Sequence, residues 1–236
     1  MGTLPVLQNL VKQTSRISEI ERKVLAFGEI AKESGWMCDD IPQNYNANKA
    51  DIESSIKQQG VPERIISTFT NGSKLKKTSA LKAVEKFMTT PREAWCLVLS
   101  GPKGCGKSTA AAHYLMKNTH GTIESLPKTQ RWWTSANISR VSSYREELES
   151  LMRIPILVID DLGVEYIDKN GFFLSRLDEL IDARWGNFKR TIITTNLNRK
   201  DFQDRYDQRI TDRIRQGFKD GADYLEVTDC NKSLRA

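Results

Sequence analysis

A glycine-rich loop between an apolar run and a helical pattern constrains the fold of this chain more than any other feature. The loop covers residues 101–109, reads GPKGCGKST and matches the pattern G-x-x-x-x-G-K-[ST] in full. Residues 94–100 are almost all apolar, as a parallel strand buried on both faces is, and residues 108–117 have helical spacing. In such a context the backbone amides surround phosphate oxygens, and the helix N-terminus favours the anion. The loop therefore predicts a nucleotide-binding α/β fold.

Two side chains of this loop are expected to act on the nucleotide directly. Lys107 is predicted to reach the β- and γ-phosphate oxygens of ATP, and the Ser108 hydroxyl to bind Mg²⁺. The other candidates for contact with ATP in the loop are Gly101, Gly104, Cys105, Gly106 and Thr109. We expect the Cys105 thiol to pack against the phosphate path, so that ATP protects it from alkylation.

An acidic pair follows the second buried strand pattern. Residues 154–159 are apolar except for one proline, and Asp160 and Asp161 come directly after them. A carboxylate at the carboxyl end of a parallel strand lies in the crevice where such sheets bind ligands. Asp160 is predicted to hold Mg²⁺, directly or through water, and Asp161 to polarise the attacking water as a general base. Because Asp is one methylene shorter than Glu, we expect slow hydrolysis.

Polar groups after the third strand pattern are weaker candidates. Asn196 follows residues 191–195 and could orient the water beside the γ-phosphate, or it could simply terminate the strand. Arg209 and Arg213 lie four apart on a predicted helix and share one face. Guanidinium groups suit phosphate oxygens, although two arginines on a helix are usually just a solvated face.

Strand and helix patterns alternate from residue 61 onward, which predicts a parallel sheet sandwiched by helices. The predicted strands are residues 94–100, 131–135, 155–159, 190–195 and 224–227, and the predicted helices are residues 75–89, 108–117, 138–151, 172–185 and 207–216. The first forty residues have helical spacing, and residues 39–50 have the Asn and Pro content of a linker. We therefore divide the chain into a small α-helical N-terminal region, residues 1–58, and a nucleotide-binding domain, residues 59–236.

Composition excludes membrane-spanning and secreted classes. The apolar runs are far shorter than the ~20 residues that a membrane helix needs, and no signal or myristoylation pattern is present, so we expect a cytoplasmic protein. The four cysteines lack the spacing of a metal site. Residues 184–219 hold ten basic and four acidic residues, which equals the net charge of +6 of the whole chain. Arg184 and Arg190 in that stretch are among the basic residues that could contact DNA.

The order of the motifs resembles a known family. The segments GPKGCGKST, ILVIDDLG, TIITTNL, RITDRIRQG and a terminal SLR are similar to those of the AAA+ ATPases of the DnaC, DnaI and IstB group, which are helicase loaders and transposition helpers. The resemblance begins at GVPERIISTF from Gly60 and extends to Arg235. It identifies Lys107, Ser108 and Thr109 as Walker A, Asp160 and Asp161 as Walker B, Asn196 as sensor 1, Arg213 with Arg209 as the arginine-finger segment, and Arg235 as the sensor 2 arginine that contacts ATP. Asp-Asp departs from the Asp-Glu of most AAA+ proteins, and the short region after the third strand implies a minimal or absent helical lid.

The resemblance implies an ATPase that loads the replicative hexameric helicase onto single-stranded DNA. An arginine finger acting in trans implies self-assembly head to tail, as a ring or a helix. The N-terminal region is the expected contact with the helicase, through an apolar stripe that could equally pack on its own domain; its residues are Leu7, Leu10, Ile17, Ile20 and Val24. Candidates for DNA contact, each of which could also be an ordinary exposed residue, are Tyr144, Arg145, Tyr166 and Lys169. Trp132 and Trp133 are expected to pack in the core.

Other functions remain open from the sequence. An IstB-like transposition helper that binds double-stranded DNA would carry the same ATPase motifs. An ATP-switched binding module with negligible hydrolysis is compatible with Asp161. A small-molecule P-loop kinase is disfavoured, because nothing in the sequence resembles an acceptor pocket or its basic lid.

Overall fold

The structure, a computed structural model, describes residues 49–70, 75–118, 130–137, 145–167, 171–216 and 224–226. All of these residues belong to one compact unit. The apolar stripe of residues 7–24, the DNA candidates Tyr144 and Lys169, and Arg235 lie outside the described residues. Over the described ranges, every helix is too short or too polar to cross a membrane.

Helices and strands alternate through the described part of the chain. In chain order the elements are α1 (Lys49–Gln58), α2 (Glu63–Thr70), α3 (Ser79–Met88), β1 (Cys96–Ser100), α4 (Lys107–Lys117), β2 (Gln130–Thr134), α5 (Arg145–Arg153), β3 (Ile156–Leu162), α6 (Phe172–Gly186), β4 (Arg190–Thr195), α7 (Arg199–Arg205), α8 (Gln208–Arg215) and β5 (Tyr224–Glu226). Each strand overlaps the residues that the sequence predicts for it. Residues 138–144 of the predicted helix 138–151, and most of the residues after α8 that would form a lid, lie outside the described part.

The described strands form one parallel sheet in the order β2-β3-β4-β1-β5. Leu99 of β1 pairs with Thr194 of β4, and Ile159 of β3 pairs with Ile193. The register between β3 and β4 shifts between Ile159 and Leu162, so an irregularity falls at the acidic pair. Because parallel strands end at the same edge, the glycine-rich loop after β1, the acidic pair of β3 and the residue after β4 are brought together there. The predicted fold class, a parallel sheet between helices, is confirmed.

Side chains alternate between two apolar clusters on the two faces of the sheet. The first cluster is covered by α1 to α4 and contains Leu97 and Trp132, whereas the second is covered by α5 to α8 and contains Val98 and Trp133. Successive strand residues face opposite ways, so the two tryptophans pack on opposite faces, and their expected place in the core is confirmed. Ile56 of α1 is buried in the first cluster, so this helix packs on the α/β unit although it precedes the predicted boundary after residue 58.

Two arginines at the amino end of the sheet are buried rather than exposed. Arg184 of α6 is fully buried and donates hydrogen bonds to Leu151 O (2.6 Å), Ile154 O (2.8 Å) and Arg190 O (2.6 Å). Burial lowers its pKa to about 9, so the group stays charged at neutral pH. These bonds connect the end of α5, the segment before β3 and the start of β4.

Arg190 extends this arrangement toward β1. Its guanidinium donates to Ala94 O (2.7 Å) and Thr90 Oγ1 (2.9 Å), and it stacks 4.5 Å above the Phe87 ring. Because Arg184 and Arg190 are both in the interior, their side chains are not available for the contact with DNA that the sequence leaves open. Part of the basic excess of residues 184–219 is therefore structural.

Candidate nucleotide-binding site

The glycine-rich loop joins β1 to α4 in a conformation that depends on glycine. Gly104 and Gly106 have φ of 86° and 81°, in the left-handed region that favours glycine. Gly106 is the N-cap of α4, and glycine offers no side chain to occupy the first amides of that helix. The amide end of α4 is therefore placed at the sheet edge where a phosphate group would lie.

Lys107, the first residue of α4, is buried beneath the loop. Its Nζ donates to Gly101 O (2.7 Å), Pro102 O (2.9 Å) and Asn196 Oδ1 (3.1 Å). The last contact joins two groups that the sequence separates by 89 residues. The predicted Walker A lysine and the predicted sensor 1 asparagine are thus in direct contact.

Asp160 lies at the centre of a hydroxyl and carboxylate cluster. Its Oδ1 accepts hydrogen bonds from Ser108 Oγ (2.8 Å) and Thr194 Oγ1 (2.6 Å). Burial raises its pKa, and the charge of Asp161 raises it further, whereas the two hydroxyl hydrogen bonds and Lys107 lower it. Hydroxyl and carboxylate oxygens are the hard ligands that Mg²⁺ prefers. The pair of Ser108 and Asp160 therefore fits the predicted magnesium site by the chemistry of its donors.

The backbone of Asp161 is held at both ends. Its φ is 55°, in the left-handed region, which Asp tolerates better than most residues. Its amide donates to Thr194 Oγ1 (3.0 Å), and its carbonyl accepts from Ser135 Oγ (2.8 Å). Asp161 is half-buried beside Asp160, which is buried. The acidic pair thus combines one enclosed carboxylate with one at the edge of the site.

Cys105 differs from its prediction. Its side chain is fully buried in the first apolar cluster, together with Ala110 and Leu115 of α4. The thiol therefore does not pack against the phosphate path, and protection from alkylation by ATP is no longer expected of it. The side chain instead attaches the loop to the core, and only the Cys105 backbone is available to the nucleotide.

The two arginines of α8 have different surroundings. The Arg213 side chain is 12% exposed, donates to Asp178 Oδ1 (2.7 Å), pairs with Asp182 and stacks 5.6 Å above the Trp185 ring. The Arg209 side chain is 62% exposed and lies 3.6 Å from Asp178 Oδ2. Of the two candidates for the finger, Arg213 is held within its own chain, and Arg209 is the accessible one.

Two of the DNA candidates lie in the described part, and both are on the surface. Arg145 begins α5 and pairs with Glu149 (3.2 Å), with its side chain 85% exposed. Tyr166, after the acidic pair, is 76% exposed. Their exposure is compatible with DNA contact, and equally with the ordinary surface positions that the sequence leaves open.

Three polar residues of the site are absent from the sequence prediction. Thr194 and Ser135 hold the acidic pair through their hydroxyls, and Glu165 is buried in the segment after it. The sequence does contain a signal for Thr194, because this hydroxyl residue stands near the end of the predicted strand, two residues before Asn196, in the run TIITTN. Ser135 follows β2, and its place at the sheet edge depends on which strand lies next to β3. Glu165 has no signal, since a single acidic residue in a loop usually faces solvent.

One known family matches most of the chain. The model of the family described as IstB-like ATP binding protein matches residues 53–233. Among curated proteins, none has a sequence that matches this chain.

Three solved structures share the fold at low sequence identity. The DnaC helicase loader is 21% identical over 71% of this chain and 100% of its own, with a TM-score of 0.53. DnaI is 20% identical over 76% of this chain and 100% of its own, with a TM-score of 0.53. A putative primosome component from Streptococcus pyogenes serotype M3 is 17% identical over 74% of this chain and 93% of its own, also with a TM-score of 0.53. These structures show that the chain has the P-loop AAA+ fold. Because the family match covers well over half of the chain, the chain belongs to the IstB-like ATP binding proteins.

Proposed function

We propose that this protein hydrolyses ATP to load a replicative hexameric DNA helicase onto single-stranded DNA. The observation that carries the ATPase part is the convergence of Lys107, Asp160 and Asn196 at one sheet edge. The loader part is supported by the likeness of the fold to the DnaC helicase loader and to DnaI. The proposed partners are therefore the helicase, through residues 1–58, single-stranded DNA, and other copies of this chain.

The proposed hydrolysis divides the work among these side chains. Lys107 exchanges the loop carbonyls for β- and γ-phosphate oxygens and neutralises part of their charge. Ser108 and Asp160 would hold Mg²⁺, which when bound neutralises charge on the same phosphates. Asn196 orients a water molecule, and Asp161 accepts its proton as the new bond to the γ-phosphorus forms and the bond to the β-phosphate oxygen breaks. Because Asp161 is shorter than glutamate, slow turnover is expected.

Assembly would complete the site with an arginine from a neighbouring subunit. A finger acting in trans needs a guanidinium that is free to leave its own surface. The 62% exposure of the Arg209 side chain favours it over Arg213, which two carboxylates and a tryptophan ring hold in place. The proposed assembly is head to tail, as a ring or a helix.

Arg209→Ala is expected to lower the ATPase rate of the assembled protein by roughly 10-fold or more, because an arginine finger accounts for large rate effects where it has been measured. Arg213→Ala is expected instead to lower the stability, because it leaves Asp178 and Asp182 without their shared partner. Arg215→Ala, on the same helix and 55% exposed, is the matched control and is expected to do neither. The measurements are steady-state ATPase rates and urea denaturation.

Mixing variants tests whether Arg209 acts in trans. A Lys107→Ala subunit lacks a working nucleotide site but keeps Arg209. An Arg209→Ala subunit lacks the arginine but keeps its own nucleotide site. If the finger acts in trans, mixing the two inactive proteins restores part of the ATPase activity. A mixture as inactive as its components, or an Arg209→Ala protein as active as the wild type, would contradict the assignment.

The loader proposal is tested with the full chain, a hexameric replicative helicase and circular single-stranded DNA. We expect the protein to retain the helicase, and to increase the helicase bound to the circle when ATP is present. Asp161→Asn is the matched control, since it is expected to bind ATP without turnover. Retention of no helicase, together with ATP-dependent binding to double-stranded DNA, would contradict loading.

The second candidate function is that of a transposition helper. The family match carries it, because the family is named after IstB. Such a protein would bind double-stranded DNA and recruit a transposase, so the choice of strand form in the same binding experiment separates the two functions. ATP binding without measurable single-turnover hydrolysis would instead support a nucleotide-switched binding module.

A further inference from the structure

Glu165 is a buried carboxylate that the proposed hydrolysis does not use. Its side chain is 0% exposed, although it stands in the segment between the acidic pair and α6. It accepts hydrogen bonds from three donors, which are Gly163 N (2.7 Å) on Oε2 and both Arg205 Nε (3.0 Å) and Tyr206 Oη (2.7 Å) on Oε1. The Glu165 carbonyl also accepts from an Arg205 terminal nitrogen (2.6 Å). The carboxylate thus joins two segments that the sequence places 40 residues apart.

The first of these segments is residues 161–165, called here the 161–165 turn, which begins with the last two residues of β3 and carries the proposed general base. Gly163 in this turn has φ of 114°, and a Cβ built on it would lie 2.8 Å from Leu197 Cδ1. Leu197 follows Asn196 directly, and its carbonyl accepts from Ser100 Oγ at 2.5 Å. The turn therefore packs with no spare space against the residue after the proposed sensor. Any shift of Gly163 would displace both the Asp161 backbone and Leu197.

The second segment is the junction of α7 and α8. Arg205 ends α7, Tyr206 follows it, and Asp207 caps α8 by accepting from Arg209 N (2.7 Å). Burial and the charge of Glu165 raise the pKa of Tyr206, so its hydroxyl remains a donor across the physiological range. The start of the helix that carries Arg209 is thereby held to the turn that carries Asp161.

We propose that Glu165 is a positioning residue for ATP hydrolysis, which sets the 161–165 turn against Asn196 and couples it to helix α8. This role rests on the proposed ATPase activity. Glu165 need not contact the nucleotide in this role, so its loss is expected to affect the rate of hydrolysis and not the affinity for ATP. Loss of the carboxylate is expected to misplace Asp161 and to weaken the connection to Arg209, while Lys107 and the loop still bind ATP.

Glutamine is a sharp probe of this role because of its geometry. The carboxylate receives donors on both oxygens, whereas a glutamine amide has an oxygen on one side and an NH₂ group on the other. Either orientation places NH₂ against an N–H, that of Gly163 or that of Arg205. Glu165→Gln therefore keeps the shape of the side chain and breaks the arrangement of the three donors.

The experiment compares wild type, Glu165→Gln, Tyr206→Phe and the control Glu179→Gln. Glu179 pairs with Arg176 on the surface of α6, so the control makes the same chemical change away from the turn. For Glu165→Gln we expect kcat to fall roughly 10- to 100-fold, while the Kd for the non-hydrolysable analogue AMPPNP changes less than about threefold. Tyr206→Phe removes one donor and keeps the ring, so a smaller fall in kcat is expected. Glu179→Gln is expected to match the wild type.

A second readout distinguishes positioning from a purely structural role. In the assembled protein, Arg209→Ala is expected to lower kcat less in the Glu165→Gln background than in the wild type, because the coupling is already lost. If urea titration shows that Glu165→Gln is already unfolded without denaturant, the combination of Tyr206→Phe with Arg209→Ala takes its place in this test. Unchanged kcat in the folded variant, parallel losses of kcat and AMPPNP affinity, or fully additive effects would each overturn the proposal. A wild-type protein without ATPase activity would overturn the proposed function, and with it this role.

Discussion

Asp161→Asn is expected to lower the kcat for ATP hydrolysis by about 10²–10⁴-fold, because an amide cannot accept the proton of the attacking water. The substitution preserves the backbone, since Asn adopts the left-handed region as readily as Asp, and φ is 55° here. The contacts of its amide with Thr194 and of its carbonyl with Ser135 involve main-chain atoms and remain. Single-turnover hydrolysis of ATP measures the effect directly.

The affinity for AMPPNP distinguishes a loss of catalysis from a loss of nucleotide binding. AMPPNP affinity is expected to stay within about threefold of wild type for Asp161→Asn. Asp160→Asn should behave differently, because it removes the charge that is proposed to hold Mg²⁺ and so weakens Mg²⁺-dependent binding. If Asp161→Asn hydrolyses ATP at the wild-type rate, Asp161 is not the general base.

Arg184→Met is expected to reduce the free energy of unfolding by about 4 kcal/mol, because the buried carbonyls that it serves lose their donors. The carbonyl oxygens of Leu151, Ile154 and Arg190 lie 2.6 to 2.8 Å from guanidinium nitrogens of Arg184. Methionine fills a similar volume but offers no N–H group. Urea denaturation at neutral pH measures the loss.

The matched control is Arg153→Met on the surface of α5. Its side chain is 75% exposed and pairs only with Glu149 among the contacts described, so a change below about 1 kcal/mol is expected. Arg184→Met as stable as this control would show that the buried carbonyls find other partners. Neither substitution touches the nucleotide site, so the AMPPNP affinity of the folded fraction should be unchanged for both.

The sheet was predictable because its strands are buried on both faces. Parallel strands covered by helices are nearly continuous apolar runs, and such runs stand before residues 101 and 160. The strand before residue 196 is instead marked by its β-branched residues, in the sequence TIITT. Each motif lies at the carboxyl end of a strand or in the loop that follows it, which is why Lys107, Asp160 and Asn196 could be assigned to one site from the sequence.

Short helices with polar faces were harder to predict. Helix α7 spans only Arg199–Arg205 and is buried mainly through Phe202, so its periodicity is too brief to detect. Its N-cap, Asn198, accepts from Asp201 N (2.8 Å), a signal that the sequence does contain.

Side-chain direction in loops and the burial of cations could not be derived from the sequence. Whether Cys105 faces the phosphates or the core depends on loop dihedrals that the glycines leave open. Arg184 and Glu165 read as surface residues, because charged side chains are rarely buried unless the fold supplies their partners. Some of those partners are distant in the sequence, such as Ile154 for Arg184, 30 residues away, and Arg205 for Glu165, 40 residues away, and only the tertiary structure brings them together.

Because of the buried arginines, the strands are joined by different kinds of contact at the two ends of the sheet. Arg184 and Arg190 link the starts of β1, β3 and β4 through short hydrogen bonds to carbonyls, so the strands cannot spread at that end. The opposite end is joined by side-chain contacts such as that of Lys107 with Asn196, which a nucleotide would replace. The strands are therefore joined more firmly at the amino end of the sheet than at the end that would bind ATP. We expect rearrangement on ATP binding to occur at the carboxyl end of the sheet, where Lys107 would exchange its contact with Asn196 for phosphate oxygens, while the amino end keeps its hydrogen bonds.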